Sequence, residues 1–211
     1  MNGIGGFLGN DSAFGRLMTK CGTVIAANVL FAVCCIPLIT AGAALQGLYG
    51  TIFAMLDAGQ EAINPFRVFW QHFRKDFLRT TLCWLAFLAI LVLGAVDLQV
   101  CAAWTGPGPY FAAGVVAVLL AAVLLGLFFF PLGAVYPEKP AQRLRRSLVL
   151  AVGHPLHTLG VLAVNLGPIA LFVSDEVGRP TYAFAGAFFA FGVMALLTAK
   201  LLRPHLPQTE L

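Results

Sequence analysis

Charge is what this sequence has least of. Lys and Arg number 13 and Asp and Glu 9, so only 10% of the 211 residues are charged while 60% are apolar; a soluble domain carries about 25% charged residues. Five runs, 21–56, 80–96, 98–137, 147–174 and 180–199, contain no charge and take in 141 of the 211 residues. Such a chain cannot coat itself in polar surface, and its apolar content equally excludes disorder. Basic residues fall between the apolar runs instead of forming one stripe, which argues against nucleic acid as a partner. The five cysteines (Cys21, Cys34, Cys35, Cys83 and Cys101) show no Cys-x-x-Cys spacing and read as small packing residues rather than a disulfide framework. No Walker sequence, nucleophile elbow, metalloprotease motif or pair of intramembrane carboxylates occurs, so neither an enzyme nor a cofactor is expected.

What is present is the pattern of an integral membrane protein. Lipid offers backbone groups no hydrogen-bond partners, so the spans must be helices or a closed barrel. Continuous runs such as Leu127-Phe128-Phe129-Phe130 lack the alternation of barrel strands. The expected fold is all-α, a single polytopic bundle over 1–211.

A helix needs about 20 residues to cross the hydrocarbon core. The run 21–56 is too long for one crossing and holds Pro37 near its middle. Gly106-Pro107-Gly108-Pro109 divides a second long run. Six spans follow, at about 18–36, 38–56, 80–104, 110–136, 148–172 and 181–200. Taking 21–56 as one crossing leaves a five-span alternative, and a re-entrant 38–56 is a third reading. Lys20, the following apolar run and Ala41-Gly42-Ala43 imitate a signal peptide, but the segment is read as an uncleaved span. With six spans and both termini inside, 12 of the 13 basic residues are cytoplasmic and only Arg179 is outside.

Between spans two and three, Asn64 can cap a helix and Pro65 fits its first position. Phe66, Phe69, Trp70, Phe73 and Phe77 recur at helical spacing, predicting an amphipathic interfacial helix over about 64–78. Arg67, Arg74, Lys75 and Arg79 there, with Arg143, Arg145 and Arg146 in the next inner connection, form a candidate surface for anionic lipid or a protein partner. Asp11-Ser12 is a candidate cap for the first helix, after a glycine-rich lead-in, and Arg203-Pro204-His205-Leu206-Pro207 is expected to end ordered structure.

Polar residues inside spans are default candidates for function. Asn28, Gln46, Thr51 and Asn165 are the amide and hydroxyl candidates, and Asp97 falls near the outer interface. His154 and His157 are three apart in the fifth span; with no Glu or Cys beside them, no metal site is expected.

Several motifs together resemble the YesL family, bacterial membrane proteins with a domain of unknown function. They are Gly6-Phe7 with Asn10-Asp11-Ser12, Pro37-Leu38-Ile39-Thr40-Ala41-Gly42, Leu48-Tyr49, and the block from Phe66 to Phe77. The resemblance covers about 5–85; Ala43 departs from it, where relatives commonly have Pro. It implies a multi-pass protein of the bacterial plasma membrane and an association with carbohydrate uptake, and it offers no site residues. The expected function is that of an accessory or scaffold protein meeting a transporter or signalling complex, with a homodimer also conceivable; the alternative is a small transporter or channel for a neutral or weakly polar solute.

Overall fold

A computed structural model describes residues 13–206 except 60, 105, 137, 176 and 177, and every regular element among them is helical. The lead-in and the Asp11-Ser12 cap lie outside the described residues. Helix α1 (Ala13–Cys34) is followed by a short 3-10 turn at Leu38–Thr40 and by α2 (Ala41–Asp57). Pro37 adopts an extended conformation, and the Thr40 hydroxyl reaches the Cys34 and Pro37 carbonyls at 2.5 and 2.9 Å, closing the reversal. Leu17 and Lys20 near the start of α1 therefore line one groove with Met55 and Leu56 at the end of α2. The two helices are antiparallel neighbours, so 21–56 is not a single crossing.

Asn64 caps α3 (Pro65–Arg74), its Oδ1 accepting from the Arg67 backbone N–H at 3.2 Å. This helix is shorter than the expected 64–78. It stops at Lys75, and Asp76 takes a left-handed φ of 53° before α4 (Phe77–Ala103) begins. Aspartate is among the few non-glycine residues that tolerate this region. Helix α4 pairs with α5 (Gly108–Val135) across the glycine-proline turn.

The expected span at 148–172 is broken. Residues 148–153 finish a separate helix, α6 (Pro140–Gly153), and α7 (Pro155–Ser174) starts after His154. The cause is Pro155, which lacks the N–H needed to continue α6 but suits the first position of α7. The last apolar run is also interrupted: α8 (Arg179–Ala185) passes through a π-helical segment at Gly186–Ala190 into α9 (Phe191–Leu202). Arg203–His205 then form a 3-10 turn.

Among the described residues, five helical segments, 14–34, 38–57, 77–103, 108–135 and 155–174, are long and apolar enough to cross a membrane. They differ in what surrounds them. Over its most apolar stretch, 72% of the segment 38–57 is buried within the protein, against 11% for both 77–103 and 155–174. Leu, Val, Ile and Phe side chains of α4, α5 and α7 point outward, as lipid-facing surface requires. Helix α2 is thus the hub, touching α1, α3, α4, α5 and α9. Its Ala44, Leu48 and Ile52 form the main core with Ala27 and Phe31 of α1, Phe69 of α3, and Ala195 and Ala199 of α9. Gly50 permits the close approach of α3, because a Cβ there would collide with the His72 ring. A second core joins Phe128 and Leu132 of α5, Val161 of α7 and Leu202 of α9.

Candidate functional site

The polar residues singled out within the apolar runs do not converge. Gln46 is buried where α2, α4 and α5 meet: its Nε2 donates to the Gly133 carbonyl at 3.0 Å, and its Oε1 accepts from the Thr80 hydroxyl at 2.6 Å. The first bond has a local cause. Residue 137 is a proline, so the Gly133 carbonyl has no i+4 backbone donor, and the Gln46 amide takes that place. Asn28 serves the interrupted last run, donating to the carbonyl of Gly186, the first residue of the π-helical segment, at 3.1 Å and accepting from the N–H of Gly192, just past its end, at 2.6 Å. Asn165 donates to the Thr198 hydroxyl oxygen at 2.9 Å and to the Val161 carbonyl at 2.8 Å. Tyr49 shares a further hydrogen bond with Thr198, so this set ties α7 and α9 to α2. Thr51 bonds back to the Gly47 carbonyl, and Asp97 is exposed on α4, apart from all of these. Each buried amide joins helices through protein partners.

The basic residues of the two inner connections differ in exposure. Arg67, Arg74, Arg79 and Arg145 are exposed, and Lys75 and Arg146 are half-buried. Arg74 lies over Trp70, with 5.6 Å from guanidinium carbon to ring centroid. Arg146 pairs with Glu138 at 2.7 Å and lies 4.3 Å from the Tyr136 ring centroid. An open groove beside them is lined by Glu138, Gln142, Arg145, Arg146 and Val149.

Arg143, placed by the sequence on this surface, is instead only 3% exposed and so cannot meet a partner there. Its guanidinium lies 5.1 Å from the Phe129 ring centroid and fills the space left by the missing side chain of Gly133. Its Nε has no hydrogen-bond partner among the described residues. Burial lowers its pKa from the ordinary arginine value, opposed by Cys83 and by the carboxylates of Asp76 and Glu138. Asp76 belongs to the α3–α4 joint and Glu138 to the approach to α6, so the two basic segments lie near one another.

A cluster of a different kind sits where the end of α9 meets the α6–α7 joint. His154 is the joint residue itself rather than part of a continuous helix, and His157 is in the first turn of α7. The residue missed by sequence reasoning is His205, in the turn expected to end ordered structure. Its ring stacks on His154 with centroids 4.0 Å apart and stands edge-on to His157 at 4.3 Å. One ligand nitrogen from each of the three lies within 4.8 Å of the others. No spacing rule could have found this partner, because it arrives from the far end of the chain. The five cysteines are free thiols.

Long lipid-facing helices packed around a buried hub define a polytopic helical membrane protein. Within that class, residues 24–98 match the family model described as "Protein of unknown function, DUF624". That match covers 75 of the 211 residues: the second half of α1, all of α2 and α3, and most of α4. No curated protein and no solved structure matches the chain.

Proposed function

We propose that this protein is a membrane accessory or scaffold subunit whose basic inner face docks a partner membrane complex, with carbohydrate uptake as the setting that the family resemblance suggests. The observation carrying this reading is the use of the interior polar groups. Asn28, Gln46 and Asn165 each pair with protein atoms in three separate places, and none lines the described grooves. A solute pathway needs polar groups facing a common cavity. The exposed arginines of α3 and α6, in contrast, leave charge available for an acidic segment of a partner.

In this reading the chain crosses the bacterial plasma membrane six times, the sixth crossing being the interrupted run 179–202. The excess of Lys and Arg in alternate connections supports cytoplasmic termini. The reading assigns the protein no catalysis. The experiment is co-purification from native membranes in mild detergent, comparing the wild type with Arg67→Gln/Arg145→Gln/Arg146→Gln. A stoichiometric partner retained by the wild type and lost by the variant is expected. Solute flux by the purified protein alone in liposomes would overturn the proposal in favour of transport.

A further inference from the structure

We propose that His154, His157 and His205 form a binding site for one divalent transition-metal ion of the zinc type, which clasps the end of the last helix to the α6–α7 joint. Nothing in this inference depends on the docking reading above.

Three observations carry it. The first is the ligand set. Three imidazoles, with their nitrogens mutually within 4.8 Å, are a common protein contribution to a tetrahedral zinc site whose fourth position is left to water or another donor. At a metal–nitrogen distance of about 2.0–2.1 Å, tetrahedral geometry separates two ligating nitrogens by about 3.3 Å. The rings therefore need to close by at most about 1.5 Å, with the stacked His154 and His205 turning their edges to a common point.

The second observation is an unmet bonding need. Nε2 of His205 is shut off from solvent and has no hydrogen-bond partner among the described residues. Buried polar atoms are nearly always partnered, and a metal ion would satisfy this one.

The third is the rigidity of the frame. The Thr158 hydroxyl reaches the carbonyls of Ala151 and His154 at 2.8 and 3.1 Å, pinning the joint that presents His154. On the opposite side, Arg203 pairs with Asp57 at 3.1 Å, and Leu206 packs against both apolar cores. His205 is therefore held between two anchored residues, so little ordering remains to be done when a metal binds. His154 and His205 lie outside the long apolar segments and His157 is in the first turn of one, so the site sits at the very end of that segment, with His154 exposed.

The test uses full-length protein without a polyhistidine tag, stripped with a chelator and titrated with Zn2+ or Co2+ in detergent. One equivalent should bind per chain with a dissociation constant below about 10 µM. Cobalt should give the intense visible bands of tetrahedral coordination, and X-ray absorption on the zinc-loaded wild type should report three imidazole nitrogens. His205→Gln and His157→Gln should each weaken binding at least tenfold, and zinc should raise the unfolding temperature of the wild type but not of His205→Gln. Saturation only at millimolar metal, an octahedral cobalt spectrum, half an equivalent per chain, or unchanged affinity in His205→Gln would each overturn the assignment. The X-ray absorption result on the wild type stands even if a variant fails to fold.

Discussion

Replacing Gln46 by Leu tests how this bundle is held together. Gln46 is 1% exposed and makes two side-chain bonds to two different helices. Leucine has similar bulk, so the substitution removes hydrogen bonding without opening a large void. The Thr80 hydroxyl can turn toward the Asp76 carbonyl one helical turn back, as threonines in helices do. The Gly133 carbonyl has no such recourse, because Pro137 offers no N–H. An interhelical hydrogen bond in a membrane is worth about 0.6–2 kcal/mol, and an abandoned buried acceptor costs about 1–3 kcal/mol. Gln46→Leu should therefore cost about 2–3 kcal/mol in SDS-driven unfolding from mixed micelles, followed by helical circular dichroism. Thr80→Val should cost about 1 kcal/mol, and the double variant less than the sum of the two, since they remove one shared bond. A loss below about 0.5 kcal/mol for Gln46→Leu, or strict additivity with Thr80→Val, would refute the reasoning.

Gly50→Ala should destabilise the same assembly by about 1–3 kcal/mol, because the new methyl meets the His72 ring; Gly126→Ala, with nothing within 4 Å, should be tolerated in the same unfolding assay. His72 also makes stability depend on pH. Burial is the main cause of its lowered pKa, opposed by its bond with the Val68 carbonyl, while Lys75 adds to the lowering. The unfolded chain then takes up a proton at His72 before the folded one does, so stability is full above the ordinary histidine pKa and declines as pH falls through and below about 6.5. Comparing unfolding of the wild type and His72→Asn between pH 7.5 and 5 should show a shallower decline in the variant.

Much of the fold could be read before any coordinates. The reversal at Pro37 follows from a charge-free run too long for one helix, and α3 from Asn64-Pro65 and its aromatic spacing. Most of what escaped the sequence shares a physical cause, a contact between distant segments, and the break before α7 is the local exception. Arg143 reads as surface because it is charged, and only the bare backbone of Gly133 and the ring of Phe129 give it somewhere to be buried. Residues 148–153 are as apolar as a span, so hydropathy joined them to α7; Gly153-His154-Pro155 was the local warning of a break. The π-helical segment at Gly186–Ala190 shows in no composition, though Asn28 opposite it was already a candidate. His205 lies in a short proline-flanked tail, and only the fold carries it to His154 and His157.

Helix α2 is the least apolar of the five long segments and the most enclosed. A segment with so little surface for fatty chains gains little by entering the bilayer unaccompanied. Its neighbours α3, α4, α5 and α9 are synthesised after it, so on the ribosome only α1 is there to receive it. The reversal at Pro37 is therefore expected to matter in biogenesis: paired insertion of the first two helices would keep α2 sheltered until the rest of the chain closes around it.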